Sequence, residues 1–305
     1  MPQTAQNDRL VRFLLERAGV RGVHVRLDRT WTEIGERASP PAAIAGLLGE
    51  AVAAAALFTG HIKVDGRLSV QLRGQGALRT LFAECTAAGT LRGIATLAEG
   101  VAADDPAVSA DLGSFGDGAL LAITVENPGA RGQEPHRYQG LVDLDATRLS
   151  AAFEAYFDRS EQLPTRLLLA ADGVRAAGLM LQKLPGDAGD LDGWERASAL
   201  FDTLGTGELL DTPVDLLLHR LFHEDGVETL GERPLRFACS CSRDRVSAML
   251  ESLGETESRE AAAGHGGVVE VRCEFCGETY RFTGDDLDRL FAPRPAASAA
   301  PERLQ

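Results

Sequence analysis

Four cysteines constrain this chain more than any other feature: Cys239-x-Cys241, a gap of 31 residues, then Cys273-x-x-Cys276. In a reducing compartment, clustered cysteines serve as metal ligands or redox switches more often than as structural disulfides. Each short pair offers two sulfurs from one turn. A tetrahedral zinc ion with thiolates at about 2.3 Å would join the two turns. C-x-x-C is the common zinc-ribbon spacing, and C-x-C is rarer. The competing reading is four unrelated buried thiols. A tetrathiolate site is closed, with no position left for water or substrate, so a hydrolytic zinc enzyme is not expected.

The flanks support a built site. Ser242 is a good N-cap, and Val246, Met249, Leu250 and Leu253 recur at helical spacing before Gly254. A helix starting just past Cys241 aims its positive end at the thiolates, which favours both metal binding and oxidation. Val268–Arg272 and Gly277–Phe282 read as a hairpin with the C-x-x-C near its turn. The fifth cysteine, Cys85, falls in a strand-like run from Leu78 and is expected to be a small buried hydrophobe.

At 305 residues the chain exceeds one average domain, so two or three units are expected. It is 44% hydrophobic and 25% charged, ordinary for a globular protein. Lys and Arg number 31 and Asp and Glu 45, a net charge of −14 that argues against a grip on nucleic acid or anionic lipid. The opening residues lack the basic-then-apolar order of a signal peptide. The most apolar run, residues 42–58, is short and carries Glu50, so no membrane span is expected and the chain reads as cytosolic.

The N-terminal part mixes helix and strand signals. Residues 8–18 read as a helix through Leu10, Phe13 and Leu14, and Pro40-Pro41 precede an Ala/Leu-rich helix over 42–59. Lys63–Leu68 reads as a hairpin turning at Asp65-Gly66. Strands are expected at 68–73, 78–85, 91–96, 120–125 and 138–142, a helix at 150–159, and a hairpin around Asp172-Gly173. The order points to α+β. After Pro185–Asp190 the pattern changes to two helices without strands, one through Trp194 and Phe201, one from Pro213 to Gly226. The second, with Leu216, Leu217, Leu218, Leu221 and Phe222, has little polar surface. Its simplest role is core; the functional alternative is a cover that detaches and bares an apolar surface. The resulting division is an α+β core domain over 1–186, a helical linker over 187–233 covering it, a small four-cysteine domain over 234–292, and an Ala/Pro-rich tail over 293–305 expected to be disordered.

Other motifs are weak. His219 and His223 lie four apart but without the glutamate of a zinc-protease helix, and His265 reads as a solvated loop residue. Gly113-x-x-Gly116 lacks the frame of a phosphate loop, and Glu251–Glu260 reads as a solvated face.

The C-terminal cluster and its neighbours resemble the 33 kDa chaperonin family of redox-regulated heat-shock holdases. The residues carrying the resemblance are Arg220-Leu221-Phe222-His223-Glu224, Phe237-Ala238-Cys239-Ser240-Cys241-Ser242-Arg243, and Cys273-Glu274-Phe275-Cys276-Gly277 with Tyr280 and Phe282. Leu47–Glu50, Ala83–Cys85, Tyr138–Gly140 and the stretch from Tyr156 to Thr165 are similar to family segments further upstream. The resemblance spans roughly residues 8–290 and does not depart from the family at the four cysteines. It implies an ATP-independent chaperone, not an enzyme, that holds one zinc ion on Cys239, Cys241, Cys273 and Cys276 and is inactive while reduced. Oxidation to two disulfides then releases zinc, frees the middle region to bind unfolding client proteins, and favours a homodimer.

The spacing is consistent with such a switch. A metal clamp across about thirty residues removes roughly 3–4 kcal/mol of unfolded-chain entropy. Metal binding itself supplies on the order of 10 kcal/mol in small zinc modules. If oxidation pairs near neighbours, Cys239–Cys241 and Cys273–Cys276, both new loops are tiny and the long-range staple is gone. A domain of about 55 residues then has little core to replace it. Three rival readings stand beside this one. A nucleic-acid-binding zinc ribbon fits poorly, since residues 236–290 hold seven arginines, no lysine and eleven acids, a charge of 7 − 11 = −4. A dithiol oxidoreductase using Cys273 and Cys276 would leave the other pair idle. The third is a constitutive structural zinc on an unrelated binding domain.

Overall fold

The computed structural model describes residues 8–292 apart from 130–133, 143, 145, 187 and 265. The tail from Pro293 and His265 therefore lie outside the described residues. The chain divides into two compact units between Cys239 and Ser240. The fold is α+β, as the mixed order of elements implied.

The large unit opens with β1 (Arg9–Leu15), β2 (Val20–Leu27), α1 (Arg29–Ala38) and α2 (Ala42–His61). Next come β3 (Arg67–Arg73), β4 (Leu78–Thr86), β5 (Thr90–Leu97), β6 (Leu120–Asn127), β7 (His136–Val142) and α3 (Leu149–Ser160). It closes with β8 (Thr165–Ala171), β9 (Ala176–Lys183), α4 (Gly193–Phe201), α5 (Thr206–Asp211), α6 (Val214–Phe222), β10 (Val227–Pro234) and β11 (Arg236–Phe237). Two sheets result, ordered β10-β1-β2-β9-β8 and β11-β5-β4-β3-β6-β7.

Helix α2 lies against strands of both sheets. It is apolar on every side, and Leu48, Ala51–Leu57 and Phe58 are buried. By length and composition it could cross a membrane, and here it is the core helix of the large unit. Its alanines allow close approach. A Cβ on Gly178 of β9 would sit 2.5 Å from Leu57 Cδ1.

The five-stranded sheet is buried on its second face as well. Val11, Phe13, Leu15, Leu179 and Leu181 pack there with Phe201, Leu209, Leu217, Leu218 and Phe222 from α4, α5 and α6. This double burial explains one wrong expectation. Residues 9–15 form a strand, not a helix, because Leu10 faces the α2 side while Val11, Phe13 and Leu15 face the other. Apolar residues on both faces imitate helical spacing.

Two further expectations are corrected. Asp65-Gly66 does not turn a hairpin. It follows α2 and leads into β3, and both backbone N–H groups donate to the Asn127 side chain at 2.8 and 3.1 Å. Gly66 is needed for close approach, since a Cβ would meet the Glu126 carbonyl at 2.1 Å. The region after residue 190 also contains strands. β10 pairs antiparallel with β1, from Leu15↔Val227 to Arg9↔Pro234, and β11 pairs parallel with β5. The second linker helix ends at Phe222, and a 3-10 turn carries the chain to Gly226.

The small unit contains α7 (Arg243–Leu253), α8 (Glu255–Ala263), β12 (Val268–Arg272), β13 (Thr279–Thr283) and α9 (Gly284–Phe291). Its buried cluster is Val246, Leu250, Ala262, Val269, Phe282 and Leu287. Glu251–Glu260 is largely exposed along α7 and α8.

Candidate metal centre

Each cysteine pair is held by its own local structure. The chain reaches the first pair alongside β5, with Arg236 N–H donating to Gly89 O at 3.0 Å and Ala238 N–H to Leu91 O at 3.1 Å. Just beyond Cys241, Ser242 caps α7 by accepting from Arg245 N–H at 3.2 Å. The positive end of α7 thus begins beside the thiol of Cys241, a placement that stabilises negative charge. The second pair sits in the β12–β13 connection. Cys273 N–H donates to Glu278 O and Gly277 N–H to Cys273 O, both at 2.8 Å, with Gly277 at φ 72°. Only glycine adopts that left-handed backbone without strain.

These local structures bring together all four cysteines singled out by spacing. One sulfur from each of Cys239, Cys241, Cys273 and Cys276 lies within 4.8 Å of the other three. Cys241 Sγ and Cys276 Sγ are 3.3 Å apart. Four thiolates at about 2.3 Å from a tetrahedral zinc ion would be separated by about 3.8 Å, so the donor set fits such an ion. A disulfide needs roughly 2.05 Å. Tyr280 hydroxyl donates to Cys241 Sγ at 3.2 Å. That hydrogen bond holds the phenol above its ordinary pKa, keeping it a donor.

Residues 8–283 match the family model described as Hsp33 protein. This chain belongs to the Hsp33 family. It is similar to the 33 kDa chaperonin of Ectopseudomonas mendocina, 43% identical over 98% of this chain and 99% of that one. The 33 kDa chaperonin of Nitrosococcus oceani is 40% identical over 97% and 98% of the two chains. The crystal structure of the 33 kDa chaperonin, a heat shock protein 33 homolog, from Thermotoga maritima has the same fold, with TM-score 0.73 at 21% identity over 93% of this chain and 98% of that one. Membership in Hsp33 supports a heat-shock chaperone role.

The remaining sequence candidates stand apart from the cluster. Cys85 is fully buried in β4, and burial pushes its thiol up to about 11. It stays protonated and takes no part in thiolate chemistry. The His219 and His223 rings are 5.2 Å apart, with His223 Nδ1 3.0 Å from the His219 carbonyl. Among the described residues they join no group of three potential ligands. Gly113 and Gly116 belong to a short 3-10 turn, Leu112–Phe115, capped by Asp111. The hydrogen bond from Tyr280 to Cys241 escaped the sequence reading, because no spacing signal links residues so far apart in the chain.

Proposed function

We propose that this chain is an ATP-independent, redox-regulated holdase whose resting state holds zinc on Cys239, Cys241, Cys273 and Cys276. The observation carrying this reading is the convergence of those four sulfurs from two distant turns. When bound, zinc supplies a cross-link between the turns and keeps the sulfurs as thiolates. On oxidation, Cys239 with Cys241 and Cys273 with Cys276 each form an S–S bond. Each bond formed gives two electrons to one peroxide, which leaves as two hydroxides. Two peroxides therefore consume all four thiolates, and the metal loses its ligands.

The client surface in this reading is the sheet face under α4, α5 and α6. Those helices cover Val11, Phe13, Leu15, Leu179 and Leu181, which form a continuous apolar patch if uncovered. Residues 187–233 are then the detachable cover and 234–292 the switch. The chaperone acts by binding unfolding proteins in the cytosol without catalytic turnover, and the oxidised form pairs with a second copy.

The test is light scattering from a thermally unfolding protein, comparing reduced zinc-loaded chain with peroxide-treated chain. Suppression of aggregation by the oxidised form alone is expected; equal behaviour of the two forms removes the redox function. Peptide mapping of the oxidised chain should give the two near-neighbour disulfides. A Cys241–Cys276 bond would instead keep the two turns joined and overturn the release mechanism.

A further inference from the structure

The hairpin that carries the second cysteine pair also reaches the first. In β13, Tyr280 and Phe282 share a face, since side chains alternate along a strand. Phe282 belongs to the buried cluster of the small unit, and Tyr280 packs half-buried against it. Tyr280 stands opposite Val271 of β12, so its ring is held by the same ladder that frames Cys273 and Cys276. The hydroxyl leaves the cluster and donates to Cys241 Sγ at 3.2 Å. A phenol has one hydrogen to give. Here it goes to a sulfur of the other pair, 39 residues away in the chain.

A second contact holds the same two segments. Arg243, two residues past Cys241, donates from Nη1 to the Arg281 carbonyl at 2.8 Å. Its guanidinium lies over the Phe282 ring, 4.2 Å from the centroid, and pairs with Asp286 of α9 at 3.2 Å. Cys241, Ser242 and Arg243 are consecutive, as are Tyr280, Arg281 and Phe282. The turn of the first pair is thus fastened to β13 at both ends by bonds that involve no metal. Ser242, between them, is committed to capping α7. Fastening of this kind removes freedom that ligand binding would otherwise have to remove, which favours binding.

Building on the four-cysteine metal reading, we infer that Tyr280 is a positioning residue for the metal centre, whose hydroxyl fixes the Cys241 sulfur against the second pair and draws negative charge from it. Cys241 Sγ lies 3.3 Å from Cys276 Sγ, and the phenol bond holds it there from the hairpin side. Four thiolates around a divalent ion carry a net charge of −2, and an O–H donor at one sulfur relieves part of it. Partners outside the ligand set typically change metal affinity about 10- to 100-fold when removed. Phenylalanine at this position keeps the ring and its packing and removes only the donor.

The experiment uses full-length chain loaded with cobalt(II), whose thiolate-to-metal absorption reports the sulfurs directly, together with zinc competition against a chelating dye. Y280F should move the charge-transfer band to lower energy and weaken zinc by about 10- to 100-fold. L250A, which loosens the same unit through packing alone, should leave the band at the parent's position. A band in Y280F equal to the parent's would overturn the inference while leaving the metal site intact. A shift of the same size in L250A would overturn it too, because the band would then follow stability rather than the hydroxyl. Should Y280F fail to fold, parent chain grown with meta-fluorotyrosine decides it. Ring fluorine makes the phenol a stronger donor, so the band should move to higher energy, and an unmoved band overturns the inference. The other two tyrosines, Tyr138 and Tyr156, lie on β7 and α3 of the large unit. A parent that binds cobalt without a four-thiolate spectrum would sink the site reading itself, and this inference with it.

Discussion

The two units are stabilised by different means. The large unit wraps two sheets around α2 and buries a second apolar layer under α4, α5 and α6. Among the described residues the small unit buries a single cluster of six. The large unit is built on two extensive apolar layers, whereas the small unit has little core of its own and, in the function proposed above, draws its stability from the metal clamp. The contrast fits the proposed switch, in which a small, ion-dependent unit comes apart while a larger, better-packed unit keeps its main core.

Removing the metal is the most severe way to break this contrast. Chelation of the reduced chain, or C273S, should withdraw on the order of 10 kcal/mol from residues 240–292. Hydrogen exchange should then become fast across α7, α8, β12, β13 and α9 while α2 and its flanking strands stay protected. Slow exchange in the small unit without metal would contradict the comparison.

A matched pair of core truncations sharpens it. Leu48 and Leu250 are 0% and 2% exposed, and shortening either to alanine should cost about 2–5 kcal/mol. L48A should lower the melting temperature of the large unit and leave zinc stoichiometry unchanged. L250A should keep its zinc but lower the melting temperature of the zinc-loaded small unit, and in chelator it should match the parent in showing no cooperative small-unit transition by circular dichroism. A cooperative metal-free melt of the L250A small unit would reverse that ranking.

Acid offers the gentlest test. His24 of β2 is fully buried between Val11 and Leu179, and neither ring nitrogen has a hydrogen-bond partner. Burial, with the charges of Arg26 and Arg9, lowers its pKa from 6.5 to about 3. Arg9 in turn faces Asp215 of α6, and Arg26 pairs with Asp28 and donates to the Thr212 carbonyl. Because the folded-state pKa is depressed, unfolding takes up a proton between pH 3 and 6.5. Stability is full above about 6.5 and falls as pH drops, by about 1.4 kcal/mol per unit, or roughly 2 kcal/mol at pH 5. Urea midpoints of the large unit should follow that slope, and H24L should flatten it. His61, also lowered to about 3 by burial, adds an equal slope, and Glu50, raised to about 7 by burial, opposes it with a slope of the other sign between pH 4.5 and 6.5. An unchanged slope in H24L would assign the effect elsewhere.

Legibility of the sequence followed locality. The cysteine pairs, the Ser242 cap, the β12–β13 hairpin and the β8–β9 hairpin could all be read because each is written within a few neighbouring residues. The N-terminal strand was misread because both its faces are covered, by elements more than thirty and nearly two hundred residues downstream. β10 gave no signal because its side chains are mostly exposed and its order comes from pairing with β1. The hydrogen bond from Tyr280 to Cys241 was missed because it joins residues that meet only once the β12–β13 hairpin has folded beside the first cysteine pair.

That pairing of β10 with β1 has a consequence for biosynthesis. A ribosome that has delivered only the first 226 residues holds a sheet whose opening strand still has one bare edge. The last hydrogen bonds of the large unit form when residues 227–238 emerge, immediately before Cys239 follows them. The nascent chain therefore seals its main body before the second pair of its clustered cysteines, Cys273 and Cys276, has emerged.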